Sequence, residues 1–151
     1  MNIGSKSGYP SSALSNFAPH RFYFDGVDCW SMEGLLQAFK FDKEHIQEEV
    51  CSLVGIAAKM RGKHKEWYRT QTLYWKGKEY KRDSDEYQEL LDRAYKALAT
   101  NSSFRKALLA TGDAVLQHTI GKRKISETVL TQREFCSRLT WIRQLIKDNE
   151  I

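Results

Sequence analysis

Only two prolines, three cysteines and no long apolar run occur in this chain, and each shortage removes a class of protein. No stretch approaches the ~20 consecutive apolar residues that span a bilayer. The N-terminus has neither a charged n-region nor an apolar h-region, so neither a leader nor a membrane anchor is expected. Cys29, Cys51 and Cys136 form no CxxC pair and are odd in number. Reduced, structural thiols in a cytoplasmic protein fit them better than a disulfide framework. The four histidines, His20, His45, His64 and His118, have no HxxH or HxxxH spacing and no cysteine partner, so no metal site is expected. A Walker loop and a GxGxxG turn are both missing, which removes the two standard phosphate cradles. No cofactor is expected, and no local signature of a serine or cysteine hydrolase is present.

What is present suits one globular domain over residues 1–151, with an irregular N-terminal segment over 1–12. A hydrophobic content of 41% against 28% charged excludes disorder as the main state. The 24 basic and 19 acidic residues leave a net charge of +5. That excess fits a polyanionic partner such as nucleic acid, a nucleotide or a phosphorylated metabolite, and equally an ordinary solvated surface.

The pattern along the chain predicts a helix-dominant α+β fold. His20-Arg21-Phe22-Tyr23-Phe24 and Val27-Asp28-Cys29-Trp30, joined by Asp25-Gly26, read as a short N-terminal β-hairpin. From Ser31, a candidate N-cap, Met32, Leu35, Leu36 and Phe39 mark a helix. Ile46, Val50, Leu53, Val54 and Ala57 extend a second helix from Glu44 to about Arg61. The strongest periodicity runs through Tyr87, Leu90, Leu91, Ala94, Tyr95 and Leu98, capped by Ser84 or by Asp83 with Glu86. A shorter helix follows Asn101-Ser102 and stops near Gly112. Thr131 and Glu134 form a capping-box pattern ahead of the last helix. The stretches 71–81 and 113–130 read as loops with short strands.

One polar stripe stands out. Glu33, Gln37 and Lys40 fall at i, i+4 and i+7 and share a helix face beside the apolar one. A carboxylate, an amide and an ammonium so aligned can hold an anionic ligand and supply one acid/base group. The same three residues also describe a solvent-facing helix with an acidic first turn. Trp30 before the helix and Ser15-Asn16-Phe17 before the hairpin add aromatics beside polar groups, a combination suited to stacking on a base and equally at home in a core.

Leu14-Ser15-Asn16-Phe17, a hairpin, Trp30-Ser31-Met32-Glu33 and Leu36-Gln37-Ala38-Phe39-Lys40-Phe41 together resemble the opening signature of the NADAR superfamily, also called YbiA-like. The resemblance continues through Arg82-Asp83-Ser84 and Ala107 to Asp113, and covers about 9–147. It implies a compact single YbiA-like domain that needs no metal, and an N-glycosidase activity. Known members cleave N-glycosidic bonds in phosphorylated riboflavin-pathway intermediates or in ADP-ribosylated guanine, and some of the latter are antitoxins to DNA ADP-ribosylating toxins. The implied partners are therefore an ADP-ribosyl or ribosyl-phosphate substrate, ADP-ribosylated DNA or nucleotide, and an ADP-ribosylating toxin. The family glutamate carries over to Glu33 as the catalytic carboxylate. Gln37 and Lys40 match ligand-facing positions, with Lys40 neutralising phosphate, and Asn16 and Phe17 match contacts to base or ribose.

Two departures bear on the substrate. The tryptophan that follows the Arg-containing turn in the YbiA-like branch is missing from Arg82-Asp83-Ser84-Asp85, and Trp75 is the candidate to stand in its place. The stretch His118-Thr119-Ile120-Gly121-Lys122-Arg123 is basic where that branch is acidic. This weakens the riboflavin-intermediate reading and suits a pyrophosphate or a nucleic-acid backbone. Asp113 is a candidate second carboxylate or a helix-terminal turn residue, and Arg82 a candidate phosphate clamp, with Ser84, His118 and Gly121 as further substrate contacts. The expected activity is hydrolysis of an ADP-ribosyl-guanine bond. The rivals are the riboflavin-pathway version, a silent ADP-ribose- or NAD-binding module, and a basic nucleic-acid-binding protein in which Glu33 is an ordinary helix-terminal residue.

Overall fold

The computed structural model describes residues 1–151. Seven helices and two antiparallel hairpins enclose one core of 34 buried residues. The first hairpin pairs β1 (Phe22–Phe24) with β2 (Val27–Cys29), and Asp25 and Gly26 take the positive φ values of 49° and 81° that its two-residue turn requires. Phe22, Phe24, Val27 and Cys29 point inward. The helix predicted from Ser31 is α2 (Met32–Ala38), preceded in the chain by the single turn α1 (Ser11–Leu14).

The helix expected from Glu44 to about Arg61 is instead two, α3 (Glu44–Cys51) and α4 (Gly55–Gly62). Two groups just before α2 claim carbonyls at the break. The Trp30 N–H donates to Cys51 O at 2.9 Å, and the Ser31 hydroxyl donates to Leu53 O at 2.9 Å. Gly55 then turns the chain through a φ of +55°, which a side chain would oppose. The break lets α4 fold back on α2.

The 71–81 stretch is a second hairpin, β3 (Thr72–Trp75) with β4 (Lys78–Lys81). Its Tyr74 N–H donates to Phe39 O at 2.8 Å, and the buried Gln47 amide ties Phe41 O and Tyr74 O together from α3. Asp25 joins the two hairpins by accepting from Trp75 Nε1 at 2.8 Å and from Arg93 at 2.8 Å.

Three longer helices complete the core: α5 (Asp85–Leu98), α6 (Ser102–Ala110) and α7 (Gln132–Lys147). Their starts follow local chemistry, with the side chains of Ser84, Asn101 and Thr131 each accepting a backbone N–H of the first turn. The 113–130 stretch holds no strand beyond a single bridge between Gln117 and Asn2. That bridge anchors the irregular N-terminal segment, whose Ile3 is fully buried. No helix is long and apolar enough to cross a membrane.

Candidate active site

The first turn of α2 supplies the centre of the site. Ser31 caps it, its Oγ accepting the Gly34 N–H at 3.1 Å. The Glu33 N–H has no carbonyl within the helix and donates to Asn16 O at 3.0 Å. The Ser15-Asn16-Phe17 loop is therefore held against α2 by the helix terminus itself. The Asn16 side chain is fixed in turn: its Oδ1 accepts from Tyr95 Oη at 2.8 Å, and Tyr95 is fully buried on α5. Phe17 lies next to Gly55 at the start of α4.

One turn further along α2, Gln37 Nε2 donates to Glu33 Oε1 at 2.9 Å, the one hydrogen bond that this carboxylate receives. Lys40 Nζ reaches Gly62 O at the end of α4, 3.5 Å away. Burial pushes the Glu33 carboxyl above the usual carboxylate range, opposed by the Gln37 amide and by the charges of Lys40, Lys59 and His118. Burial likewise lowers Lys40, against the pull of Glu33, and Lys122 adds a further push downward. A half-buried carboxylate with one amide donor, faced by Lys40 just past α2, Lys59 of α4 and His118, can exchange a proton and attract an anion.

His118 is held by its Nδ1–H, which donates to Ile3 O at 2.8 Å, and by the edge of its ring on Phe135, 5.1 Å between centroids. Gly121 serves that ring: a Cβ there would lie 2.6 Å from His118 Cδ2, so its lack of side chain is a packing requirement. Trp30 sits at the surface, 40% exposed, with the Arg21 guanidinium 4.2 Å above its ring.

Four candidates from the sequence lie elsewhere. Trp75 is 2% exposed, stacked on Phe24 and edge-on to Phe39, with its indole N–H spent on Asp25, so it is core and offers no face to a ligand. Arg82, at 1% exposure, makes a bidentate pair with Glu134 at 2.6 and 3.0 Å and donates Nε–H to Thr128 O, so its guanidinium is buried in an ion pair and closed to a phosphate. Ser84 is the N-cap of α5. Asp113 is fully exposed and paired with Lys147 at the far end of α7. Phe135, which touches His118, lies about 18 Å away along that helix at ~1.5 Å per residue. Asp113 therefore acts in a helix-terminal turn and cannot join Glu33.

The structure also adds residues that sequence reasoning passed over. In the sequence Tyr95 is one of a row of apolar helix positions, and Gly62, Lys59 and Lys122 carry no local signal. Only the fold of α4 and the 118–124 segment around α2 brings Lys59 toward Glu33, Gly62 against Gln37 and Lys122 toward Lys40.

Comparison with known proteins agrees with this architecture. The family described as bacteriophage protein GP30.3 matches residues 8–144. The chain is 36% identical over 148 residues to the uncharacterized 17.1 kDa protein in the Gp30–rIII intergenic region of Enterobacteria phage T4, covering 95% of this chain and 96% of that one. Its fold is that of the E. coli protein YbiA, with a TM-score of 0.65 over 99% of this chain and 86% of the other at 19% identity.

Proposed function

The chain belongs to the bacteriophage protein GP30.3 family, a family of the NADAR type, and from that premise we propose that it is an N-glycosidase acting on an ADP-ribosylated base, with guanine as the leaving group. The observation that carries the reading is Glu33, a carboxylate set at a helix start, touched by one amide and faced by Lys40, Lys59 and His118.

As the C1′–N bond breaks, its electron pair leaves with the base and positive charge builds at C1′. An ionised Glu33 stabilises that charge by analogy with O-glycoside hydrolysis. It also takes a proton from the water whose oxygen bonds to C1′ and passes that proton to the departing base nitrogen, which leaves Glu33 ionised again. A carboxylate held above its usual range by burial suits this exchange. Lys40 and Lys59 supply positive charge for the diphosphate, and Asn16 and Phe17 lie where base or ribose would meet the loop. The basic 118–124 segment favours a diphosphate-bearing or polymeric substrate over a riboflavin-pathway intermediate.

The test is mass spectrometry of reactions with guanine-ADP-ribosylated DNA, run beside a phosphorylated riboflavin-pathway intermediate and a Glu33→Gln control. Release of free ADP-ribose by the wild type alone is expected. Cleavage of the intermediate alone would move the protein to metabolite control. Calorimetric binding of ADP-ribose with no product from either substrate would make it a binding module.

A further inference from the structure

Gly62 breaks a local rule without a local reason. It lies in the last turn of α4, and its φ is not among the positive ones, so the backbone does not demand glycine there. Inside a helix glycine is weaker than alanine, and any small residue would hold that turn better. What forbids a side chain is Gln37. A Cβ on Gly62 would lie 1.9 Å from Gln37 Oε1 and 2.9 Å from its Cδ, so the collision falls on the amide that donates to Glu33. On its other side the same residue presents its carbonyl to Lys40 Nζ.

The amide's other end completes the picture. Gln37 Oε1 is buried and has no hydrogen-bond partner, an uncommon state for a carbonyl oxygen. Facing the Gly62 α-carbon, it meets a weakly positive C–H, a second-order donor. With the amide turned over, Oε1 would face the Glu33 carboxylate and the NH2 group would face that C–H, leaving both ends mismatched. Gly62 thus supplies the space that seats the amide and the surface that selects its orientation. We propose that Gly62 is a positioning residue of the Glu33 site: its missing side chain is the seat that keeps Gln37 Nε2 on the carboxylate. The inference rests on reading Glu33 as the reactive group, and α4 acquires a part in the site beyond its lysines.

The test is a double-mutant cycle of Gly62→Ala, Gln37→Ala and the pair, read by NMR titration of the Glu33 side-chain carboxyl carbon in the full chain. Gln37→Ala removes the one donor and should move the Glu33 midpoint upward. Gly62→Ala should move it the same way, and should add nothing once Gln37 is alanine. A wild-type midpoint in Gly62→Ala, or an equal shift in both backgrounds, overturns the proposal. Should Gly62→Ala alone fail to fold, the pair still decides. A midpoint equal to that of Gln37→Ala supports the proposal, and a further shift overturns it. Turnover supplies the second readout: kcat should fall by up to about a hundredfold in Gly62→Ala with little change in KM. A wild type inactive on every glycosidic substrate would sink the N-glycosidase reading and leave the titration cycle to judge Gly62 on its own.

Discussion

Glu33 and Glu134 both sit in the first turn of a helix that begins with a hydroxyl N-cap, Ser31 for α2 and Thr131 for α7. From there their surroundings diverge. Glu134 receives both arms of the Arg82 guanidinium, the Thr131 N–H at 2.8 Å and the Gln88 amide at 2.7 Å. Burial alone would raise its carboxyl, but these donors hold it below the usual range. Glu33 has one amide and no ion pair within reach, and burial leaves it above that range. One position decides the difference: Glu134, three residues after its cap, closes a capping box and fastens its helix, whereas Glu33, two residues after its cap, has no such box and keeps an under-satisfied carboxylate. A carboxylate whose every lone pair is occupied has nothing left for a substrate, whereas an under-satisfied one does.

That contrast can be broken in four ways. Glu33→Gln should cut turnover by about a thousandfold, the scale of a lost acid/base group, with an unchanged amide NMR spectrum. Activity within a few-fold of wild type would end the distinction between the two carboxylates. Arg82→Met should cost about 3–5 kcal/mol in urea unfolding, because it strands Glu134 buried and unpaired. A loss below about 1 kcal/mol would show that the α7 pair is not a fastener.

Lys40→Ala should raise KM about tenfold, the scale of one charge-assisted contact, with kcat less affected. An unchanged KM would remove Lys40 from anion binding.

The smallest effect is in the pH dependence, where the two groups act with opposite signs. The lowered Glu134 contributes stability above its unfolded value near pH 4.3, and that contribution is lost as pH falls through its folded value. The raised Glu33 carries no penalty below about pH 4.3. Its penalty grows as pH rises from there through the raised folded value and is complete above it. Glu33→Gln should therefore unfold at a higher denaturant concentration than wild type near pH 8, with the gap closing near pH 4. A gap that is constant with pH would mean that Glu33 is not held above its ordinary range.

Much of the framework was legible because it is written in neighbouring residues. Ser31, Ser84, Asn101 and Thr131 cap their helices through bonds spanning three residues. Asp25-Gly26 dictates a turn by backbone sterics alone. The α3–α4 break was not legible, since the groups that claim its carbonyls come from residues 30 and 31. The same limit misdirected three site candidates. Arg82, Trp75 and Asp113 looked available because their partners, Glu134, Asp25 and Lys147, are far off in the chain.

The sequence by itself determined the helix-dominant α+β class, the cap positions and the i, i+4 pairing of Glu33 with Gln37 on α2; Lys40, in the turn after Ala38, lies beyond that helix. Each follows from the fixed rise and turn of a helix or from contacts within one turn of it. Only the tertiary structure decided that Gly62 seats the Gln37 amide, that Tyr95 holds Asn16, and that the bases of α4 and of the 118–124 segment face Glu33. Those outcomes depend on which buried polar groups find partners when α4 folds back on α2. That pairing is settled by the whole core at once.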